Sequence, residues 1–375
     1  GVISDLGLFT IPSIFFCLKK LFLIIACGLL LVTASRACAE RIITDAAGRK
    51  VKIPDNVSRL VTTFKPATLM VLCLKGADAF VGLDNSSRHD PLVLAVAPEL
   101  ADLPGVGSKS SGINLETVLS LDPDLVILSY QKTGVQMADR LQNSGCPAVV
   151  IAPETFASIK QTLMMVASAI GKPRQADAVI QAMERVLARV GKRVQNLDPG
   201  ERKTVYYAGP SGFLSTSPSG MLQDRMIHLA GGINAAHGLH GHFKQISPEQ
   251  LMTWAPESIV ISPMSRLQAK TFINRRQFSL LPAVRENEIH IFPSSLSPWD
   301  FPSPLSVLGV LWLGNRLYPE QFEDICLIHE INDFHETLFD QSFTKMGGHL
   351  NDKMKRKDPA HPARNQDVPG RNPGS

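Results

Sequence analysis

Several loops that should follow buried strands carry basic, aromatic and hydroxyl side chains. Lys and Arg pair with the acidic oxygens of a ligand, and aromatic rings pack on its flat parts. In open α/β sheets ligands bind at the carboxyl ends of the strands, where these loops should lie. The candidate ligand-binding residues are Lys65, Arg88, Lys109, Tyr130, Lys132, Tyr207, Phe213, Ser215, Arg266 and Trp299.

Two ligand classes remain open. The cations and rings favour an anionic, partly aromatic metal chelate. The segment GPSGFLSTSPSG, residues 209–220, is instead rich in backbone N–H and hydroxyl groups, which suit a small oxyanion such as molybdate or tungstate, or a bare metal ion. These ligands differ several-fold in size, so the volume of the site discriminates between them.

Trp299 lies between Pro298 and Pro302, which hold it at low entropic cost and favour a ring that faces the ligand. The alternative is a ring that seals its lobe, with Asp300 as a local turn or capping residue.

A histidine cluster at HGLHGH offers His237, His240 and His242 as weak candidate metal ligands. Gly238 and Gly241 make this segment flexible rather than helical, so exposed loop histidines are the more ordinary outcome.

No catalytic motif emerges. GPSGF around Ser211 is not G-x-S-x-G, and GVGSKSSG (105–112) departs from both the dinucleotide and the P-loop signatures. No nucleophile with a base is evident. We therefore expect a binding protein without a cofactor rather than an enzyme.

The elements that position these residues alternate between short apolar runs and helical patterns, which predicts a mainly parallel α/β fold with one sheet in each half. Residues 175–197 predict one long helix between the halves. Strands are predicted at 60–64, 79–83, 125–130, 148–151, 204–208, 258–262 and 288–292.

One pattern occurs twice, as NLETVLSLDPDLVI (114–127) and as PEQLMTWAPESIVI (248–261). Asn114 and Ser247 are expected N-caps, so Glu116 and Glu249 fall in the first helical turn. A carboxylate there interacts favourably with the helix dipole, which explains either Glu alone. Two equivalent acids on equivalent lobes suggest in addition a surface that one partner contacts symmetrically.

The chain ends differ from the body. Residues 17–39 contain two Lys, a short apolar run and an A-x-A ending, which predicts a secretory signal peptide rather than a membrane anchor. Lipidation of Cys38 is a weaker alternative. Residues 348–375 predict a disordered tail. Residues 40–347 carry a net charge of only −1, which argues against nucleic acid as a partner.

ITDAAGRKVKIPDNVSRLV (43–61), the two Glu motifs, LAGGINAA (229–236) and SPWDFPSPLSVLGVLWLGNRLYPE (297–320) together resemble the periplasmic iron-siderophore, haem and vitamin B12 binding proteins of ABC importers. This resemblance implies two Rossmann-like lobes, 40–174 and 198–347, with a bridging helix at 175–197 and a ligand cleft between the lobes. It also implies that Glu116 and Glu249 dock onto the ABC permease dimer of the inner membrane. We expect a periplasmic monomer with modest closure on ligand binding.

Overall fold

A computed structural model of the chain describes residues 40–108, 112–131 and 133–352. Within them, no helix has the length and apolar composition needed to cross a bilayer. The strands are β1 Glu40–Thr44, β2 Lys50–Pro54, β3 Leu60–Thr62, β4 Phe80–Gly82, β5 Gly107–Ser108, β6 Gly112–Ile113, β7 Leu125–Ser129, β8 Ala148–Ile151, β9 Thr204–Ala208, β10 Ser215–Thr216, β11 Ile233–Asn234, β12 Lys244–Gln245, β13 Ser258–Ile261 and β14 Ile289–Ile291. The α-helices are α1 Lys65–Cys73, α2 Pro91–Val96, α3 Leu115–Ser120, α4 Gly134–Asn143, α5 Phe156–Ala169, α6 Pro173–Val194, α7 Leu222–Leu229, α8 Pro248–Trp254, α9 Arg266–Ile273, α10 Pro282–Arg285, α11 Ser306–Leu317 and α12 Leu327–Phe339.

The N-terminal lobe is built on a parallel sheet with strand order β4-β3-β7-β8. Every residue of β7 and β8 is buried. Helices cover both faces of a parallel sheet, so its central strands are continuous apolar runs rather than alternating ones. That is why LVILS and AVVI are readable as strands in the sequence.

The C-terminal lobe repeats the arrangement with strand order β11-β9-β13-β14, again parallel. β7 and β13, the strands that follow the two Glu motifs, occupy the same third position in their sheets. The predicted fold, two parallel lobes joined by one long helix, is confirmed.

Seven of the fourteen strands in the described residues escape the sequence pattern, namely β1, β2, β5, β6, β10, β11 and β12. β11 has only two residues and pairs with Thr204 and Val205 at the sheet edge. The N-terminal hairpin pairs β1 with β2 antiparallel, from Glu40 opposite Pro54 to Thr44 opposite Lys50. β11 is too short to show the alternating apolar pattern of a strand, so its position in the sheet depends on its neighbours.

The bridging helix α6 begins at Pro173, where proline suits the first helical turn. It buries a stripe that includes Val179, Met183, Val186 and Val190. These side chains join one hydrophobic core that contains residues of both lobes. The predicted long helix is therefore present, with boundaries shifted slightly towards the N-terminus.

A second connection crosses between the lobes through α12, which packs on both α6 and α1. Gln175 Nε2 donates to the carbonyl oxygens of Cys73 and Thr337, at 3.2 and 3.3 Å. Lys75 Nζ lies 2.6 Å from Asp340 Oδ1. The C-terminal helix thus ties the N-terminal lobe to the helix that carries the C-terminal lobe.

The predicted disordered tail, 348–375, begins too early. Asp352 is buried, and its Oδ2 accepts hydrogen bonds from Trp312 Nε1 at 2.8 Å and Arg316 Nε at 2.7 Å. Its carbonyl oxygen also accepts from Ile291 N. Local composition does not reveal this because the partners are distant in sequence. Residues 353–375 lie outside the described residues.

We expect Asp352→Ala to lower the free energy of unfolding by about 2 kcal/mol, because it leaves a guanidinium and an indole N–H without their acceptor. Urea unfolding followed by circular dichroism measures the change. Glu323→Ala, at an exposed acid of the same lobe, is the control and should change little. Equal effects of the two substitutions would contradict this role for Asp352.

Candidate functional site

A small pocket lies at the carboxyl edge of the N-terminal sheet, with a volume of about 40 Å³. Thr63 follows the end of β3, and Ser129 ends β7. Both side chains are buried. The parallel register brings these strand ends together. Thr63 Oγ1 donates to Ile127 O at 3.1 Å, and Ser129 Oγ accepts from Gln131 N at 3.3 Å, which leaves the Ser129 hydroxyl hydrogen as a donor. The lining residues are Thr63, Ser108, Gly112, Ile113, Ser129, Gln131, Thr133, Gly134 and Met137.

The start of α4 forms one wall of this pocket. Thr133 precedes the helix and makes no side-chain capping bond, and the first intrahelical bond runs from Met137 N to Thr133 O, at 2.9 Å. N–H groups at a helix start point out along the axis and favour anions. A Cβ on Gly134 would lie 1.7 Å from Ser129 O, so only glycine allows the helix start to approach the strand end this closely.

The described cations predicted to bind ligand are partly engaged elsewhere. Lys65 Nζ lies 2.8 Å from Asp90 Oδ2, and Asp90 in turn caps α2 through Leu92 N. Arg88 donates to Ala101 O from Nη2 and Nε, at 2.7 and 3.2 Å. Arg266 is exposed at the start of α9. Lys109 and Lys132 lie outside the described residues.

Three of the four predicted aromatic residues are core residues. Tyr207, Phe213 and Trp299 are each at most 1% exposed. Phe213 packs on Tyr206, Phe272 and Phe278, and Trp299 packs on Phe343. The structure therefore places these rings in the protein interior rather than on an open cleft wall, which corrects the expectation of ligand-facing rings. Tyr130 differs, because it is 46% exposed after the end of β7.

A buried polar network lies at the corresponding edge of the C-terminal sheet. Tyr207 Oη donates to Asp300 Oδ2 at 2.7 Å. Among the described residues, Asp300 Oδ1 and the hydroxyls of Ser297 and Ser303 have no hydrogen-bond partner. Burial raises the pKa of Asp300, and the nearby Ser262 and Tyr207 hydroxyls offset part of that rise.

The C-terminal hydroxyl-rich segment is also closed. Ser215, in β10, is 1% exposed, and its carbonyl oxygen accepts from Gly209 N at 2.6 Å. Because this segment folds on itself, its backbone N–H and hydroxyl groups do not form the open oxyanion site expected from the sequence.

The three candidate histidines, His237, His240 and His242, are all exposed. His237 Nδ1 lies 3.0 Å from Asn234 O, a local turn contact. Across the described part of the chain, His, Cys, Asp and Glu form no group of three that could hold a metal ion.

The two acids of the repeated motif have matching surroundings. Asn114 Oδ1 accepts from Thr117 N, and Ser247 Oγ accepts from Gln250 N, both at 3.1 Å. Both predicted caps are therefore present, and Glu116 and Glu249 are exposed in the first turns of α3 and α8. Hydrogen bonds from its own backbone N–H and from Ser247 lower the pKa of Glu249, which favours its charged form.

A family model described as periplasmic binding protein matches residues 60–296, a range that contains β3 to β14 and both acids. The chain belongs to the periplasmic binding protein family. The resemblance seen in the sequence is thereby confirmed at the level of the family. This is a family of binding proteins rather than enzymes, and the chain is a substrate-binding protein of an ABC importer.

Named relatives of this periplasmic binding protein differ in ligand. The molybdate-binding protein MolA of Haemophilus influenzae is 26% identical over 349 residues, covering 87% of this chain and 98% of MolA. The solved structure of MolA bound to molybdate has a TM-score of 0.73 at 25% identity and covers 80% and 98% of the two chains. A vitamin B12-binding protein of Yersinia pestis is 29% identical over 211 residues, covering 56% of this chain and 71% of its own.

The pocket residues of this periplasmic binding protein were largely missed by sequence reasoning, which concentrated on charged and aromatic side chains. Thr63 lies in a loop that the strand-end rule does select. Ser129 and Gly134 carry no comparable signal of their own. Asp300 was considered only as a turn or capping residue, although its position between Trp299 and Phe301 is a sign of burial.

We expect Asp300→Asn to make stability less dependent on pH. Because the folded state raises the pKa of Asp300, it binds the proton more tightly than the unfolded chain, whose carboxyl pKa is about 3.9. Wild-type stability therefore falls as pH rises from about 4 towards the folded pKa, and asparagine has no proton to lose. Melting temperatures from pH 4 to 8 measure the effect.

As pH rises, the melting temperature of Asp300→Asn should increase relative to that of the wild type. The melting temperature of Asp55→Asn, at an exposed acid, should change with pH as the wild type's does. Parallel pH profiles for wild type and Asp300→Asn would contradict the burial of an ionisable group at this position.

Proposed function

We propose that this periplasmic binding protein captures a small tetrahedral oxyanion of the molybdate class and delivers it to its ABC importer. The pocket at the start of α4 carries the proposal. Its volume of about 40 Å³ has room for roughly three water molecules. The Ser129 hydroxyl and the N–H groups in the first turn of α4 are donors of the kind that bind oxyanions.

The same observations weaken the metal-chelate alternative. A chelate needs a cleft several times larger and aromatic surface on its walls. Tyr207, Phe213 and Trp299 instead fill the core, and Lys65 is paired with Asp90. Tyr130 is the described candidate ring that remains exposed.

Two further considerations support an oxyanion. MolA, whose similarity covers 87% of this chain and 98% of MolA, is described as binding molybdate. Lys132 lies in the sequence between the pocket-lining residues Gln131 and Thr133, and Lys109 follows Ser108. Their predicted ligand contacts stay predictions.

We expect isothermal titration calorimetry to detect saturable binding of molybdate or tungstate by the purified protein, without turnover. Ser129→Ala should weaken binding by about tenfold, because one hydroxyl is removed. Gly134→Ala should weaken it further, because the added Cβ pushes the start of α4 away from β7.

Gly238→Ala is the matched control, since a Cβ there meets nothing within 4 Å. Binding of a ferric chelate or cobalamin in place of oxyanions would overturn the proposal, as would unchanged oxyanion affinity in Gly134→Ala. Mass spectrometry and metal analysis of the co-purified ligand give an independent measurement.

We also propose that Glu116 and Glu249 contact the permease dimer. α3 and α8 each run into the third strand of their sheet, so both helix starts lie towards the carboxyl edges where ligand is held. Charge pairs at the rim of a transient interface fix register and speed encounter. Two exposed carboxylates at equivalent positions of the two lobes suit a partner with two equivalent halves.

We expect the double variant Glu116→Gln and Glu249→Gln to lose most ligand-stimulated ATP hydrolysis by the reconstituted importer while its ligand affinity stays unchanged. Glu99→Gln with Glu286→Gln removes one exposed acid from each lobe elsewhere and should remain active. Full stimulation by the first double variant would show that these acids act only on their own helices.

The proposal also includes three predictions made from the sequence. Residues 17–39 direct export, the lobes end and begin at residues 174 and 198, and the protein is a monomer. Residues 1–39 lie outside the described residues, and family membership supports a periplasmic location.

A further inference from the structure

One stretch of the C-terminal lobe combines exposed apolar and basic side chains to an unusual degree. Met264, Leu267 and Leu280 are 64%, 83% and 72% exposed, more than any other large hydrophobic side chain in the described residues. Isolated apolar residues on a surface are ordinary, but three within 17 residues are a feature. We call residues 264–285 the basic apolar segment.

The charge of this segment is entirely positive. Residues 258–285 contain no Asp or Glu. Residues 40–347 carry a net charge of −1, and without the five cations of this segment the rest of that range carries −6. The five cations, all exposed, are Arg266, Lys270, Arg275, Arg276 and Arg285.

These cations are not used inside the protein. Among the described residues, none of the five forms an ion pair within the chain, whereas Lys65, Arg49 and Arg316 each pair with an acid. Arg275 lies over the Phe272 ring, 4.0 Å from its centroid, which holds the guanidinium beside apolar surface. The positive charge is therefore available to a partner.

The segment begins at the functional edge of its lobe. Pro263–Ser265 forms a 3₁₀ turn one residue after the end of β13, and α9 starts at Arg266. Glu249 lies at the start of the helix that leads into the same strand. When that edge meets a permease in its membrane, the basic apolar segment is brought towards the bilayer. This step rests on the proposed docking function.

We propose that the basic apolar segment contacts a bilayer containing anionic phospholipid. Lys and Arg near such a surface are attracted to the headgroups, and exposed Leu and Met side chains enter the boundary between headgroups and acyl chains. The contact is peripheral and reversible. It keeps the loaded protein near the membrane and orients its ligand edge towards the permease.

Vesicle co-sedimentation of the full chain tests this proposal, with phosphatidylcholine vesicles that contain or lack phosphatidylglycerol. The segment variant is Leu267→Ser, Lys270→Gln and Arg276→Gln. The control variant, Ile42→Ser, Lys50→Gln and Lys52→Gln, removes one exposed apolar side chain and two exposed cations from the N-terminal lobe. Both variants keep residues 353–375, which are themselves basic.

The wild type and the control should bind vesicles with phosphatidylglycerol, more weakly at high salt, and the segment variant should bind about tenfold more weakly. Hydrogen exchange should show vesicle-dependent protection of residues 264–285. Equal binding by all three proteins, protection confined to residues 353–375, or no binding would overturn the proposal.

Loss of transport in a segment variant that binds vesicles normally would assign the segment to the permease and would also overturn it. Failure of the proposed docking is distinguishable, because vesicle binding is measured without the permease, and oxyanion titration of the segment variant measures ligand binding without vesicles.

Discussion

The packing of α6 into both lobes is the constraint on which the rest of the structure depends. Val179, Met183, Val186 and Val190 join a hydrophobic core that continues through helices of both halves. A close-packed core transmits displacement rather than absorbing it. α12 adds a second set of contacts between the lobes. Both sheet edges are therefore held in one relative orientation, and large hinge motion would require this core to separate.

Because the two lobes are held in one orientation, equivalent positions on them stay at a fixed separation. β7 and β13 occupy the same sheet position, and each follows a short helix that begins with a capping residue and an acid. The edge proposed to hold the ligand and the acids proposed to meet the permease then belong to the same side of each lobe. A partner that contacts both acids at once detects the distance between them, which is set by α6.

The described residues of the proposed oxyanion pocket offer dipoles rather than full charges. Gly134 lets a helix start approach Ser129, and Ser129 contributes a hydroxyl group from the end of β7. Such groups cost less to desolvate than Lys or Arg and are held in place by the strands themselves. Nearby cations such as Lys65 and Arg88 stabilise the surrounding loops through Asp90 and Ala101.

Local sequence by itself determined seven of the eight strands of the two main sheets, the long helix and the paired caps, because apolar period, capping residues and proline act within a few residues of the chain. Only the tertiary structure decided which side chains face the site. Trp299 and Tyr207 have the same types whether they line a cleft or fill a core, and their burial depends on Phe343 and Asp300, distant in sequence. Asp352 likewise becomes part of the lobe through Trp312 and Arg316. Burial and pairing are properties of contacts between distant segments, and a local pattern carries no information about them.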